Sequence, residues 1–118
     1  MKLPGPDHPI AITRANGRVV VHFHETVIAD TVNALELKEA SYPPVLYIPR
    51  ADVHLEHYER TAHRTQCPYK GDASYFSLVA DGQRAENAVW TYETPYPAMA
   101  EIKEFVAFYP DKVRIERD

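Results

Sequence analysis

Cys67 is the only cysteine in this 118-residue chain. A thiolate is the reactive form of cysteine, and nearby positive charge favours it. Arg64 precedes Cys67 by three residues and Lys70 follows it by three. Pro68 and Gly71 give the run Thr65-Gln66-Cys67-Pro68-Tyr69-Lys70-Gly71 a fixed bend and a permissive joint, as a loop that presents backbone N–H groups requires. A covalent mechanism also needs a base, and His63 and Asp52 are the candidates. On an extended segment His63, Thr65 and Cys67 share a face. Four residues of strand nevertheless set the His63 and Cys67 backbones roughly 13 Å apart, so the pair needs a bend to meet. The plainer reading makes Cys67 a small apolar residue at a strand end, because free cysteine is among the most buried residue types.

Other residues offer binding rather than bond-making. Arg50 suits an anion, and Asp52 suits either a turn cap or a catalytic carboxylate. Asn87 is unexpected inside a strand; once buried it needs hydrogen-bond partners, which makes it a pin for a neighbouring loop or a ligand contact. Tyr47, Tyr75 and Trp90 fall on strands bordering the Cys67 loop, where amphipathic rings can wall a groove. Lys70-Gly71 is not a phosphate loop, which needs Gly-x-x-x-x-Gly-Lys followed by Ser or Thr and then a helix. His22 with His24, and His54 with Glu56, have the spacing to share a strand face and hold a divalent ion. The commoner role for such pairs is the solvated face of an antiparallel strand, and no metal or cofactor is expected.

These residues must be positioned mainly by strands. Val19, Val21 and Phe23 alternate with Val20, His22 and His24, the period of a half-buried strand. Val27 to Ala29 follows closely enough for a hairpin. Ala34 to Glu39, Val45 to Ile48, Val53 to Tyr58, Arg64 to Gln66, Ala73 to Val79 and Ala85 to Tyr92 are further strand candidates, with Glu59-Arg60-Thr61 as a turn. Asp81-Gly82 is a strong hairpin signal. Met99, Ile102, Phe105, Val106 and Tyr109 recur at helical spacing, and Pro97 suits a first helical turn, so one C-terminal helix is expected. Val113 to Ile115 closes the chain as a strand, while Pro4, Pro6 and Pro9 make residues 1–17 irregular. Strands do not alternate with helices, which argues against a parallel doubly wound sheet. A mainly β fold follows: one twisted antiparallel sheet or two packed ones, with the helix over an open edge or face.

Composition narrows the partners. The length suits a single domain spanning 1–118. Thirteen Lys and Arg are scattered among seventeen Asp and Glu, so the basic stripe that phosphate-led nucleic-acid binding requires is missing. No apolar run approaches the roughly 20 residues of a membrane span, and the N-terminal residues lack the apolar stretch of a secretory signal. A lone cysteine permits no internal disulfide, and a cytoplasmic location is the default expectation.

Taken together, four runs form a pattern. Tyr47-Ile48-Pro49-Arg50-Ala51-Asp52-Val53, the Cys-Pro-Tyr-Lys-Gly run continuing to Ala73-Ser74-Tyr75, Glu86-Asn87-Ala88-Val89-Trp90-Thr91-Tyr92 and Phe105-Val106-Ala107-Phe108-Tyr109 stand in that order. The arrangement resembles the bacterial domain-of-unknown-function family 427, over about Val19 to Val113. The resemblance implies a β-tent-like fold, two small antiparallel sheets leaning together around a groove, similar in architecture to methionine sulfoxide reductase B and the thalidomide-binding domain of cereblon. Those relatives commonly carry zinc on cysteine pairs, which this chain lacks. At the first hairpin the family often has Gly, whereas this chain has His24-Glu25-Thr26. A nucleotidyltransferase-like label attaches to the family; such enzymes need paired carboxylates and a Gly/Ser phosphate element, and neither stands here as a motif.

Three readings result. In the first, a small-ligand module holds a polar or anionic molecule beside Thr65, Cys67 and Lys70, between Tyr47, Tyr75 and Trp90. In the second, an enzyme performs nucleotidyl transfer or thiol chemistry in the same groove. The third is a structural domain, with homodimerisation through an exposed sheet edge.

Overall fold

The computed structural model describes residues 1–118. Ten strands form two antiparallel sheets. They are β1 (Ile10–Arg14), β2 (Val19–Phe23), β3 (Thr26–Thr31), β4 (Leu35–Glu39), β5 (Val45–Pro49), β6 (Tyr58–Cys67), β7 (Gly71–Ala80), β8 (Gln83–Thr91), β9 (Phe105–Phe108) and β10 (Arg114–Arg117). The larger sheet runs β1-β4-β5-β9-β8-β7-β6 and the smaller β10-β2-β3. Short 3-10 turns cover Arg50–Asp52, Leu55–His57 and Pro97–Ile102. No helix is long and apolar enough to cross a membrane.

The central strands are buried on both faces, and their period-2 alternation divides the side chains between two cores. Ile48, Phe76, Leu78, Val106 and Phe108 face the small sheet and meet Val19, Val21 and Ile28. Tyr47, Ala73, Tyr75 and Ala107 face the other way and pack with Leu37, Tyr92, Met99 and Ile102. Tyr75 lies directly opposite Trp90, and Trp90 opposite Ala107. This register puts the aromatic residues of three strands on one face.

The expected C-terminal helix is absent. Pro97–Ile102 is a kinked 3-10 segment with Met99 off helical geometry. Glu104 then takes φ 64°, and Phe105–Phe108 becomes β9 between β5 and β8. Of the residues whose spacing suggested a helix, Met99 and Ile102 stay in the 3-10 segment, while Phe105 and Val106 belong to an interior strand, where near-continuous hydrophobicity replaces alternation.

Two more segments differ from expectation. β1 rises out of the stretch read as irregular and pairs with β4. Glu59-Arg60-Thr61 is not a turn: it lies within β6, a ten-residue edge strand whose register with β7 shifts between Arg60 and Arg64. β8 shifts against the same part of β7, between Phe76 and Leu78, and Asn87 there adopts φ 51°. Thr61 Oγ1 donates to Asn87 Oδ1 at 2.6 Å, and the Asn87 N–H donates to Ser77 Oγ at 3.0 Å. Asn87 thus fastens two bulges across one strand, and asparagine tolerates the left-handed conformation the site requires.

The expected hairpins formed. β2 pairs β3, and β7 pairs β8. Asp81 and Gly82 both have positive φ (55° and 73°), the conformation of a two-residue turn that matches strand twist. His24 also sits at positive φ, 53°, where glycine carries no Cβ penalty.

Candidate functional site

The outer face of the large sheet carries a cavity of about 280 Å³. Aromatic side chains form most of its wall: Tyr47, Tyr75, Trp90, Tyr92 and Tyr109, with Tyr42 at the rim. The period-2 face rule and the β7–β8–β9 register account for this grouping. Ile48 pairs with Val106, so Tyr47 and Trp90 flank the small Ala107 of β9. Trp90 Nε1 donates across it to the Tyr47 hydroxyl at 3.3 Å, with the rings edge to face at 6.5 Å. Burial pushes the Tyr47 and Tyr92 hydroxyls above the usual tyrosine range. Burial, followed by the neighbouring Tyr75 hydroxyl, pushes Tyr109 up to about 12. These hydroxyls therefore stay protonated and can donate at neutral pH. The Tyr92 hydroxyl makes no hydrogen bond within the protein while its ring lines the cavity.

The polar side of the cavity is an ion pair. Lys70 is 6% exposed, and its Nζ donates to Glu39 Oε1. The other Glu39 oxygen pairs with His8 Nε2 at 2.7 Å. Burial raises the Glu39 pKa, but the hydrogen bonds from Lys70 and His8 outweigh that and hold it below the usual carboxylate range. The His8 ring stacks on Tyr69, with centroids 4.0 Å apart and planes 4° from parallel. The Lys2 N–H donates to Pro68 O at 2.7 Å, and the Ala40 N–H to Pro9 O at 2.8 Å. The N-terminal segment is thereby strapped across the Cys67–Lys70 turn.

Lys70 Nζ stands 3.7 Å from Cys67 Sγ, which is half-buried. Thr65 Oγ1 and the Tyr75 hydroxyl are 2.8 Å apart. His63 stacks edge-on against Tyr75 at 4.5 Å and makes no hydrogen bond to the thiol, whose one partner is Lys70. Of the residues expected at one site, the structure gathers Tyr47, Lys70, Tyr75 and Trp90 around the cavity, with Cys67 and Thr65 directly behind Lys70 and Tyr75.

The others stand elsewhere. Asp52 accepts from Thr31 Oγ1 of the small sheet at 2.6 Å. Arg50 donates to Glu93 Oε2 and to Thr91 Oγ1, both at 3.2 Å. Arg60 grips the same Glu93 through two bonds, at 3.1 and 2.6 Å. Both guanidiniums lie over the Phe76 ring, at 5.6 and 5.0 Å, and the buried Arg50 Nε has no partner. Arg60 chiefly, with Arg50 adding to it against the opposing effect of burial, lowers the Glu93 pKa to about 2. This cluster caps the rim of the inter-sheet core.

Sequence reading missed Glu39, His8 and Tyr109. Glu39 ends its strand like any solvated residue, and His8 looked like part of a tail. Only the β1–β4 pairing brings them to Lys70, and no local pattern announces it. Tyr92 had a signal, since it shares a strand face with Trp90.

A family model described as a domain of unknown function (DUF427) matches residues 11–118. The chain belongs to that family. No curated protein matches it. The DUF427 model carries a nucleotidyltransferase label, which would call for carboxylate-held metal. No group of three His, Cys, Asp or Glu side chains stands close enough together to hold a metal ion. His22 instead pairs with Glu116 at 3.0 Å, and His54 Nδ1 bonds Val27 O at 2.9 Å.

Proposed function

We propose that this DUF427 chain is a binding module for a small polar molecule, held in the aromatic cavity above the Lys70–Glu39 pair. The observation that carries this reading is the pair itself. Sinking two charges into a sheet face is costly, and well-packed apolar residues often do as well for stability. A desolvated pair at the end of a concave aromatic wall is what ligand recognition uses: area from the rings, orientation from a few polar groups.

The unpartnered Tyr92 hydroxyl provides the test. Tyr92→Phe removes one oxygen that holds nothing in the protein, so the melting temperature should stay within about a degree or two of the parent. A lost ligand hydrogen bond weakens binding by about 1 kcal/mol, or roughly fivefold. The assay is fluorescence of Trp90, the only tryptophan, against a panel of small polar compounds. If no compound perturbs Trp90, or if binders ignore Tyr92→Phe, this reading fails.

A second reading rests on Lys70 standing 3.7 Å from the half-buried Cys67 Sγ. Thiol chemistry requires folded Cys67 to alkylate faster than free cysteine at pH 7, and Cys67→Ser to abolish function. A ligand module keeps its affinity in Cys67→Ser.

A further inference from the structure

A second hollow of about 340 Å³ lies beside the cavity, where β5, β9 and β10 meet at the junction of the two sheets. Leu46, Phe108 and Ile115 line it, and no charged residue does. The two hollows share four lining residues, among them Tyr42 and Trp90. Tyr42 is 60% exposed, so the partition stands at the surface rather than in packed core. One hollow thus carries an ion pair and the free Tyr92 hydroxyl, while its neighbour is wholly uncharged.

The unused hydrogen-bond donors select the head group. Both Glu39 oxygens are engaged, one by Lys70 and one by His8. The Lys70 ammonium has three donors, with Glu39 as its one oxygen acceptor and the Cys67 sulfur at 3.7 Å. A donor is left over, and the Tyr92 hydroxyl adds another. Those donors suit a hydrogen-bond-accepting, acidic head of carboxylate size.

We infer that the two hollows take one molecule, a small amphiphile with an acidic head at Lys70 and Tyr92 and an unbranched apolar tail. The tail crosses Trp90 and lies against Leu46, Phe108 and Ile115. This rests on the binding-module reading and names its ligand class. A ligand confined to the first cavity would leave the second hollow's apolar wall in water. Each methylene that covers this wall is worth about 0.8 kcal/mol, close to fourfold in affinity.

The test uses the full chain and straight-chain carboxylates from acetate to octanoate, read by Trp90 fluorescence. Affinity should climb close to fourfold per methylene over several members. Tyr92→Phe should weaken every member by the same factor. Ile115→Phe, which fills the second hollow, should flatten the climb and spare the shortest members. The slope in the unaltered protein stands as a test even if Ile115→Phe does not fold. Affinity independent of chain length overturns the amphiphile and leaves the polar cavity standing. A slope that persists unchanged in Ile115→Phe also overturns it, because the tail then lies elsewhere. Binding of no carboxylate at any length overturns it as well, and the polar panel with Tyr92→Phe then decides the cavity reading separately.

Discussion

Replacing Lys70 by methionine keeps most of the unbranched apolar stem and removes the charged end. The ammonium side chain is 8% exposed and its partner carboxylate 17%, so the change strands a largely dry Glu39. Breaking a buried pair from one side costs about 3–5 kcal/mol. His8 still holds the second Glu39 oxygen at 2.7 Å, which places the expected loss near the lower end, about 3 kcal/mol. For a chain of this size that is a fall of roughly 10–20 °C in Tm. The loss should depend on pH in a defined direction. The Glu39 pKa lies below its unfolded value of 4.5. Its stabilisation is therefore fully present above that value and disappears as pH falls through the lower folded-state value. Urea unfolding of parent and Lys70→Met at pH 7 should show the full gap, and the gap should narrow as acid protonates the Glu39 carboxylate. Removing both charges, in Lys70→Met with Glu39→Leu, should recover part of the loss, since no lone carboxylate is left buried. A gap under about 1 kcal/mol at pH 7, the range of an exposed pair, would refute the reasoning. So would a gap that holds constant into acid.

Two other perturbations follow from the same structure. Glu93→Gln should flatten the acid limb of the stability curve: with its pKa near 2, Glu93 adds stability above the ordinary carboxylate range and loses it as pH falls toward 2. Because Glu93 and Arg60 are partly exposed, at 29% and 48%, the effect at pH 7 should be modest, about 1 kcal/mol; urea midpoints at pH 7 and pH 3 measure it. His24→Gly should stabilise the first hairpin, since φ 53° burdens a residue with a Cβ by about 1 kcal/mol or more. Loss of the edge contact between the Phe23 and His24 rings, at 4.5 Å, takes back part of that, so thermal unfolding should show a net gain of a degree or more.

The hairpins were legible because they depend on short-range rules. Asp81-Gly82 fixes a turn locally, and the hairpin it closes sets Tyr75 opposite Trp90, whereas Tyr47 joins their face only through the distant pairing of β5 with β9. The misread segments are those whose state is decided by distant chain. Phe105–Phe108 is apolar enough for helix or strand, and only its slot between β5 and β8 chooses. Arg60 and Arg64 sit in one strand because a bulge absorbs the extra residues, and no residue pattern in β6 signals that bulge. At the site, Lys70 was visible beside Cys67, but Glu39 and His8 reach it only after β1 has paired with β4. Asn87 stood out correctly as an odd strand residue, and its φ of 51° makes it a fastener between bulges.

The strand order also has consequences for how this chain comes into being. β9 occupies an interior slot of the large sheet and β10 completes the small one. A nascent chain emerging from the ribosome can therefore form the β2–β3 and β7–β8 hairpins early. It cannot close either sheet until β9 and β10, residues 105–117, are free of the exit tunnel. Until then β5 and β8 present unpaired edges, the kind of surface on which partly made chains associate. Folding dominated by such distant pairings is slow, and a message truncated just before Phe105 would yield an aggregating product rather than a smaller version of the protein.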